Sequence, residues 1–168
     1  MKLRLIFVLC LLTKILPAQS DSLLWEKIDK DVWFHFMQAY EDLDVGRLHH
    51  LHSSDFEFII PENEKVLSKL AYLDKNLEIF NQWNTDGIDQ RMSISFLSRT
   101  LEDSLAYESG IYRLSRNDGF GRITQIYVHF KATLCKVGDT WKMMTYSENK
   151  KNNANNEGIF RIGALIDY

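Results

Sequence analysis

The sequence predicts an α+β fold in which N-terminal helices pack on an antiparallel sheet, and three observations carry that expectation. Two long stretches before Gly87 repeat their apolar residues at helical spacing. After Gly87 the pattern changes to strict alternation, the signature of strands half-buried on one face. Turn residues separate the alternating stretches and no helical pattern lies between them, so the strands must run as a meander.

The first helix is expected over Ser22–Leu43, where Leu24, Ile28, Val32, Phe36, Ala39 and Leu43 form one stripe. Trp25, Trp33, Phe34 and Met37 widen it. A short helix around Leu48 and Leu51 follows an acidic turn at Asp42–Asp44, and Asp55 introduces a strand with Phe56, Phe58 and Ile60 on one face. A second long helix is expected over Glu64–Trp83, with the stripe Val66, Leu70, Leu73, Leu77 and Phe80 and with Asn63 as its cap. Met92, Ile94 and Phe96 mark the next strand, and Ala106–Ser115 another, folded back by the turn Asn117-Asp118-Gly119. In Ile123–Lys136 the apolar face is Ile126, Val128, Phe130, Ala132 and Leu134. Val137-Gly138-Asp139 then turns the chain into a last strand, Trp141–Glu148.

The ends read differently. Met1–Ser20 has a basic start at Lys2 and Arg4, an apolar run from Leu5 to Leu16, and small residues at Ala18 and Ser20, the pattern of a cleaved signal peptide. The run falls short of the roughly 20 apolar residues of a membrane span, so the expectation is a secreted or periplasmic protein without stable membrane insertion; an uncleaved anchor is the alternative. Cleavage would remove three bases and no acid, lowering the formal charge of −3 by three. No block of Lys or Arg beyond Lys150-Lys151 survives, which excludes a nucleic-acid footprint. Cys10 leaves with the leader, so Cys135 has no partner for a disulfide and reads as a small apolar strand residue. Residues 21–149 form one domain. Lys150–Asn156 is an Asn-rich linker, and the apolar tail GIFRIGALIDY could add an edge strand, close a pocket or reach a partner chain.

The stretch Phe36–Pro61, FMQAYEDLDVGRLHHLHSSDFEFIIP, resembles the opening of the nuclear transport factor 2-like superfamily, in particular its SnoaL-like branch. Glu108-Ser109-Gly110-Ile111-Tyr112 and Gly138-Asp139-Thr140-Trp141-Lys142 resemble its middle and final strand signatures, so the resemblance spans about Leu24 to Asn149. It implies a cone in which the first helix and a curved sheet enclose an apolar pocket, and a homodimer through the sheet face around Tyr127 and His129. The ketosteroid isomerases of that superfamily carry a Tyr on the first helix, where this chain has Phe36, and an Asp before the Pro of the first strand, where it has Ile60. Their third group is an acid on a late strand, and Ile123–Lys136 contains none. Proton abstraction needs a base and an oxyanion donor in reach of one substrate, so isomerase chemistry is not inherited by position.

Three histidines, His49, His50 and His52, invite a zinc reading, but no His-Glu-x-x-His motif or cysteine pair accompanies them, and a solvated helix face explains them better. No metal or cofactor is expected. Tyr40, Tyr107, Tyr112 and Tyr146 combine apolar area with a polar tip, as suits a flat lipophilic ligand. The ligand-binding residues expected are Phe36, Tyr40, Phe58, Ile60, Tyr112 and Tyr146, around an apolar or aromatic small molecule. Two other readings stand beside non-catalytic binding. One is a lyase, isomerase or hydrolase using His35, His129 or Tyr40; the other is an assembly module with a filled pocket.

Overall fold

A long N-terminal helix lies against the concave face of the sheet and buries Ile28, Val32, Trp33, Phe36, Met37, Ala39 and Tyr40. It is built from α1 (Leu16–Ile28), a π-helical turn (Asp29–Trp33) and α2 (Phe34–Glu41). The computed structural model describes residues 16–117, 121–149 and 156–166, with side chains from Ser22 onward. Residues 1–15 of the expected leader, the Asp118-Gly119 part of the hairpin turn and nearly all of the Asn-rich linker lie outside these residues, while Leu16–Ser20 of the expected leader form the start of α1. Among the described residues no helix is long and apolar enough to cross a membrane.

The expected stripe of the first helix is buried from Ile28 to Ala39. The π turn is the departure from regularity. Such single turns insert one residue and rotate the faces that follow; here both Asp29 and Trp33 are buried within it. Asp44 then caps α3 (Val45–Leu51) by accepting a hydrogen bond from the Arg47 backbone N–H at 3.0 Å.

β1 (His52–Ile60) is followed by a strand, β2 (Lys65–Ser68), where the sequence predicts the first turn of a helix. Lys65–Ser68 pairs antiparallel with Glu57–Ile60, and Glu64 takes a positive φ of 55° in the tight turn between them. The cap of α4 (Lys69–Thr85) is therefore Ser68, whose hydroxyl accepts from the Ala71 N–H, and not Asn63. The phase of this helix also differs from the expected stripe. Val66, Leu70 and Leu77 are exposed, and the buried face carries Tyr72, Leu73, Asn76 and Phe80.

β3 (Asp89–Glu102), β4 (Leu105–Asn117), β5 (Ile123–Val137) and β6 (Thr140–Asn149) form the expected meander. A short helix, α5 (Asn156–Ile162), leads the apolar tail into β7 (Ala164–Ile166), which pairs with β3 through Ile94, Ser95 and Phe96. The tail thus adds an edge strand. The seven strands lie in the order β2-β1-β6-β5-β4-β3-β7. The sheet is mixed and not purely antiparallel, because β1 runs parallel to β6. The helix and the whole meander lie between those two strands, enough chain to return in the same direction.

Bulges at Phe96/Ser98 and at Thr133/Leu134 bend the sheet around the helix. Gly110 sits at the crowded turn of the curve, where a Cβ would collide with the Ser95 carbonyl and the Phe130 ring. Trp33 anchors the closed end of the cone, with its ring 5.4 Å from Phe96 and 5.0 Å from Phe130.

Candidate functional site

The open end of the cone holds a partly open cavity of about 250 Å³ between α2, α4 and the inner face of the sheet. Tyr40 reaches it from α2, and Tyr72, Asn76 and Ile79 from successive turns of α4. Phe58, Tyr112, Leu114, Val128 and Glu148 project from β1, β4, β5 and β6. Lys75, Trp83, Arg116 and Ile126 stand at its rim. Larger concavities of about 410 and 480 Å³ lie on the outer sheet face and are more open to solvent.

The polar groups inside form two sets. On the helical side the Tyr40 hydroxyl lies 3.3 Å from the Tyr72 hydroxyl and donates to Asn76 Oδ1 at 3.3 Å; Asn76 Nδ2 donates to the Tyr72 carbonyl at 2.8 Å. On the sheet side the Tyr112 hydroxyl donates to Glu148 Oε1 at 2.8 Å. Burial, followed by interaction with the neighbouring tyrosine and with the Glu148 carboxylate, raises the Tyr40 hydroxyl well above the ordinary tyrosine range; burial and then Glu148 do the same for Tyr112. All these hydroxyls stay protonated and act as donors.

Arg116 closes one side. Its guanidinium lies 3.9 Å from the centre of the Trp83 ring, and its Nε donates to Gln90 Oε1 at 3.0 Å. Gln90 Nε2 in turn donates to the Tyr40 carbonyl at 2.6 Å, which ties the rim to the first helix.

Of the residues expected at the site, Tyr40, Phe58 and Tyr112 line this cavity. Phe36 and Tyr146 do not. Both are fully buried and form its floor, Phe36 packing on Tyr40 at 5.0 Å and on Tyr146 at 5.4 Å. Ile60 is half-buried against the core at the far end of β1, outside the lining. Tyr107 lies on the outer sheet face, 40% exposed. His35 opens into a separate surface groove beside Arg47 and Lys142, and His129 Nε2 lies 3.1 Å from Asn156 Oδ1 under the tail. Neither histidine lines this cavity, whereas Tyr40 does.

Sequence reasoning missed Tyr72, Asn76, Arg116 and Glu148. Tyr72 and Asn76 follow from the α4 phase error. Arg116 falls beyond the expected end of its strand, although it continues the inward positions Tyr112 and Leu114. Glu148 stands on β6, one strand later than the search for a late acid covered. Alternation from Trp141 and Met143 would point Thr145 and Ser147 inward, but the bulge skips Met144 and turns Tyr146 and Glu148 to the inside.

His52 also departs from expectation. It is buried at the start of β1, stacked on Phe56 at 3.9 Å, and neither ring nitrogen has a partner among the described residues. Burial, with nearby Lys69, pushes it down to about 3. His49 and His50 remain on the exposed helix face.

A second polar cluster ties the π turn to the sheet. Arg99 pairs with Asp29 at 2.5 Å and with Glu108 at 2.6 Å, while Glu108 also accepts from Trp33 Nε1 at 2.7 Å. The guanidinium is flanked by the Trp25 and Phe96 rings. Burial raises Glu108 to about 6 against the opposing pull of Arg99. Each member is satisfied by another, so the cluster fixes the helix on the sheet.

No protein-family model and no curated protein sequence matches the chain. Solved structures do match in fold. Aln2 from a Streptomyces species superposes with a TM-score of 0.65 at 14% identity, over 76% of this chain and 90% of that one. LinA superposes with a TM-score of 0.58 at 14% identity, over 80% and 90%. A ketosteroid isomerase-like protein from Erwinia carotovora atroseptica gives 0.55 at 13% identity, over 76% and 96%. These likenesses, with the element order above, establish a nuclear transport factor 2-like fold.

Proposed function

We propose that the domain binds a small apolar or aromatic molecule, of one or two rings, in the cavity at the open end of the cone, without transforming it. The observation that carries this reading is the lining itself, with aromatic and aliphatic walls and a few convergent polar tips. Ligand pockets of about 300–1,000 Å³ hold drug-sized molecules, so this smaller space fits a smaller ligand. The open volume also weighs against an assembly module whose pocket is filled by its own side chains.

Titration with neutral 1-naphthamide tests the reading. Ile126→Trp at the rim should weaken binding by about tenfold, equivalent to about 1.4 kcal/mol, while circular dichroism stays unchanged. Full affinity in that variant would place the site elsewhere.

One observation favours a second reading, an acid–base enzyme. Glu148 and the hydroxyls of Tyr40, Tyr72 and Tyr112 share one cavity, and proton abstraction needs a carboxylate base near a donor to the developing oxyanion. Turnover of a cyclic ketone that fell about 10²–10⁴-fold in Glu148→Gln would establish it. The SnoaL-like branch, export and a homodimer through the outer sheet face belong to the same proposal.

A further inference from the structure

We propose that the ligand of this cavity carries a carboxylate on its apolar body and that Arg116 at the rim holds that carboxylate. The inference deepens the binding reading above and rests on it.

It starts from an imbalance of charge. Among the described residues, no carboxylate lies within ion-pair distance of Arg116 or of Lys75, which both line the cavity. Arg47, Arg99 and Arg161 are paired, and Arg113, also without a carboxylate among the described residues, lies against Phe160 away from this cavity. Arg116 is half-buried, so leaving its charge uncompensated is costly. Its Nε bond to Gln90 and its stacking on Trp83 fix the plane of the guanidinium and leave the two terminal nitrogens without a hydrogen bond among the described residues. A guanidinium held with its terminal N–H groups free is matched to a carboxylate, which it binds with two parallel hydrogen bonds. Lys75, exposed and 6.0 Å from the centre of the Phe58 ring, adds a second positive charge on the opposite, helical side.

Glu148 sets the direction of the ligand. It is already engaged by the Tyr112 hydroxyl, and its charge acts on Tyr40, Tyr72 and Tyr146 as well. A ligand carboxylate would be repelled from that wall and drawn to Arg116. The apolar body then lies inward against Phe58, Tyr72, Leu114 and Val128, with the charged end at the rim, where water completes its hydration. The ligand class is thus a small aromatic or alicyclic carboxylic acid.

The test compares three probes of one shape on the full chain by calorimetric titration: 1-naphthoate, 1-naphthamide and 1-naphthylmethylamine. Naphthoate should bind about tenfold tighter than the amide or better, as one charge-assisted contact allows. Arg116→Gln should bring the acid down to the level of the amide, and Lys75→Gln should cost it less. If Arg116→Gln fails to fold, the wild-type ratio of acid to amide decides alone. Equal affinity for acid and amide would overturn the carboxylate while leaving the binding reading intact. Tightest binding of the amine would overturn it in favour of Glu148. Binding of none of the three would remove the binding reading and this inference together.

Discussion

His52 and Glu108 are both buried titratable groups, and they respond to acid in opposite directions. His52 is held at about 3 in the folded chain against 6.5 unfolded, so the unfolded chain takes up the proton first. Stability from this residue is present above pH 6.5 and is lost at about 1.4 kcal/mol per pH unit as pH falls toward 3. Glu108 is raised to about 6 against 4.5, so the folded chain binds its proton first and gains stability as pH falls between those values. Between pH 6 and 4.5 the two slopes offset one another, and below 4.5 only the His52 loss remains. Urea denaturation at several pH values should therefore show a shallow response down to about pH 4.5 and a steep decline beneath it. His52→Leu, which keeps the apolar contact with Phe56, should remove most of the decline; an unchanged acid limb in that variant would acquit His52. Neither role was legible in the sequence. The sequence presents His52 as one of a solvated helical trio, whereas the helix ends at Leu51 and His52 opens β1; Glu108 gains its character only from Arg99 and Trp33.

At the scale of elements, periodicity located the long helices and strands and fixed the phase of the first helix, but not that of α4. Val66, Leu70, Leu73, Leu77 and Phe80 make a valid helical stripe, yet pairing of Lys65–Ser68 with β1 takes the first of these into a strand. The remaining helix turns Tyr72, Asn76 and Phe80 inward, and with that rotation half of the cavity wall disappears from a sequence reading. Strand parity was more reliable. Phe56 and Phe58, which alternation puts on one face of β1, are both buried, because alternation on a sheet has only two answers. The tail shows the opposite case, since its apolar composition was clear and its destination was not. Phe160 is buried at 4% exposure, with its ring 5.9 Å from Tyr127 and the Arg113 guanidinium 4.8 Å from its centre. Phe160→Ala should cost about 3–5 kcal/mol, visible as a lower midpoint in thermal denaturation. Deleting residues 156–168 should cost at least as much while leaving the cavity residues in place. A truncated chain that melts at the wild-type temperature would show the tail to be energetically idle.

For the whole molecule, the two faces of the sheet have different fates. The inner face is consumed by the helix and the cavity. The outer face presents Ser98, Tyr107, Ser109, Lys131, Thr133, Thr145 and Ser147 as a shallow trough of mostly small side chains. The expected dimer surface around Tyr127 and His129 is already occupied in part by the chain's own tail, through Phe160 and Asn156. A homodimer through this sheet must therefore use the trough between the tail and β1, and small residues there would let two sheets approach closely. Ser109 lines both outer concavities and stands near the centre of that surface. Ser109→Arg would place a long cation there in each subunit, and across a two-fold axis a patch meets its own copy. Sedimentation velocity at micromolar concentration should show a dimer for the wild type and a monomer for Ser109→Arg. Binding of 1-naphthamide should be alike in both, because the cavity opens on the other side of the sheet. A wild-type chain that sediments as a monomer would sink the homodimer and leave the tail as the cover of its own sheet.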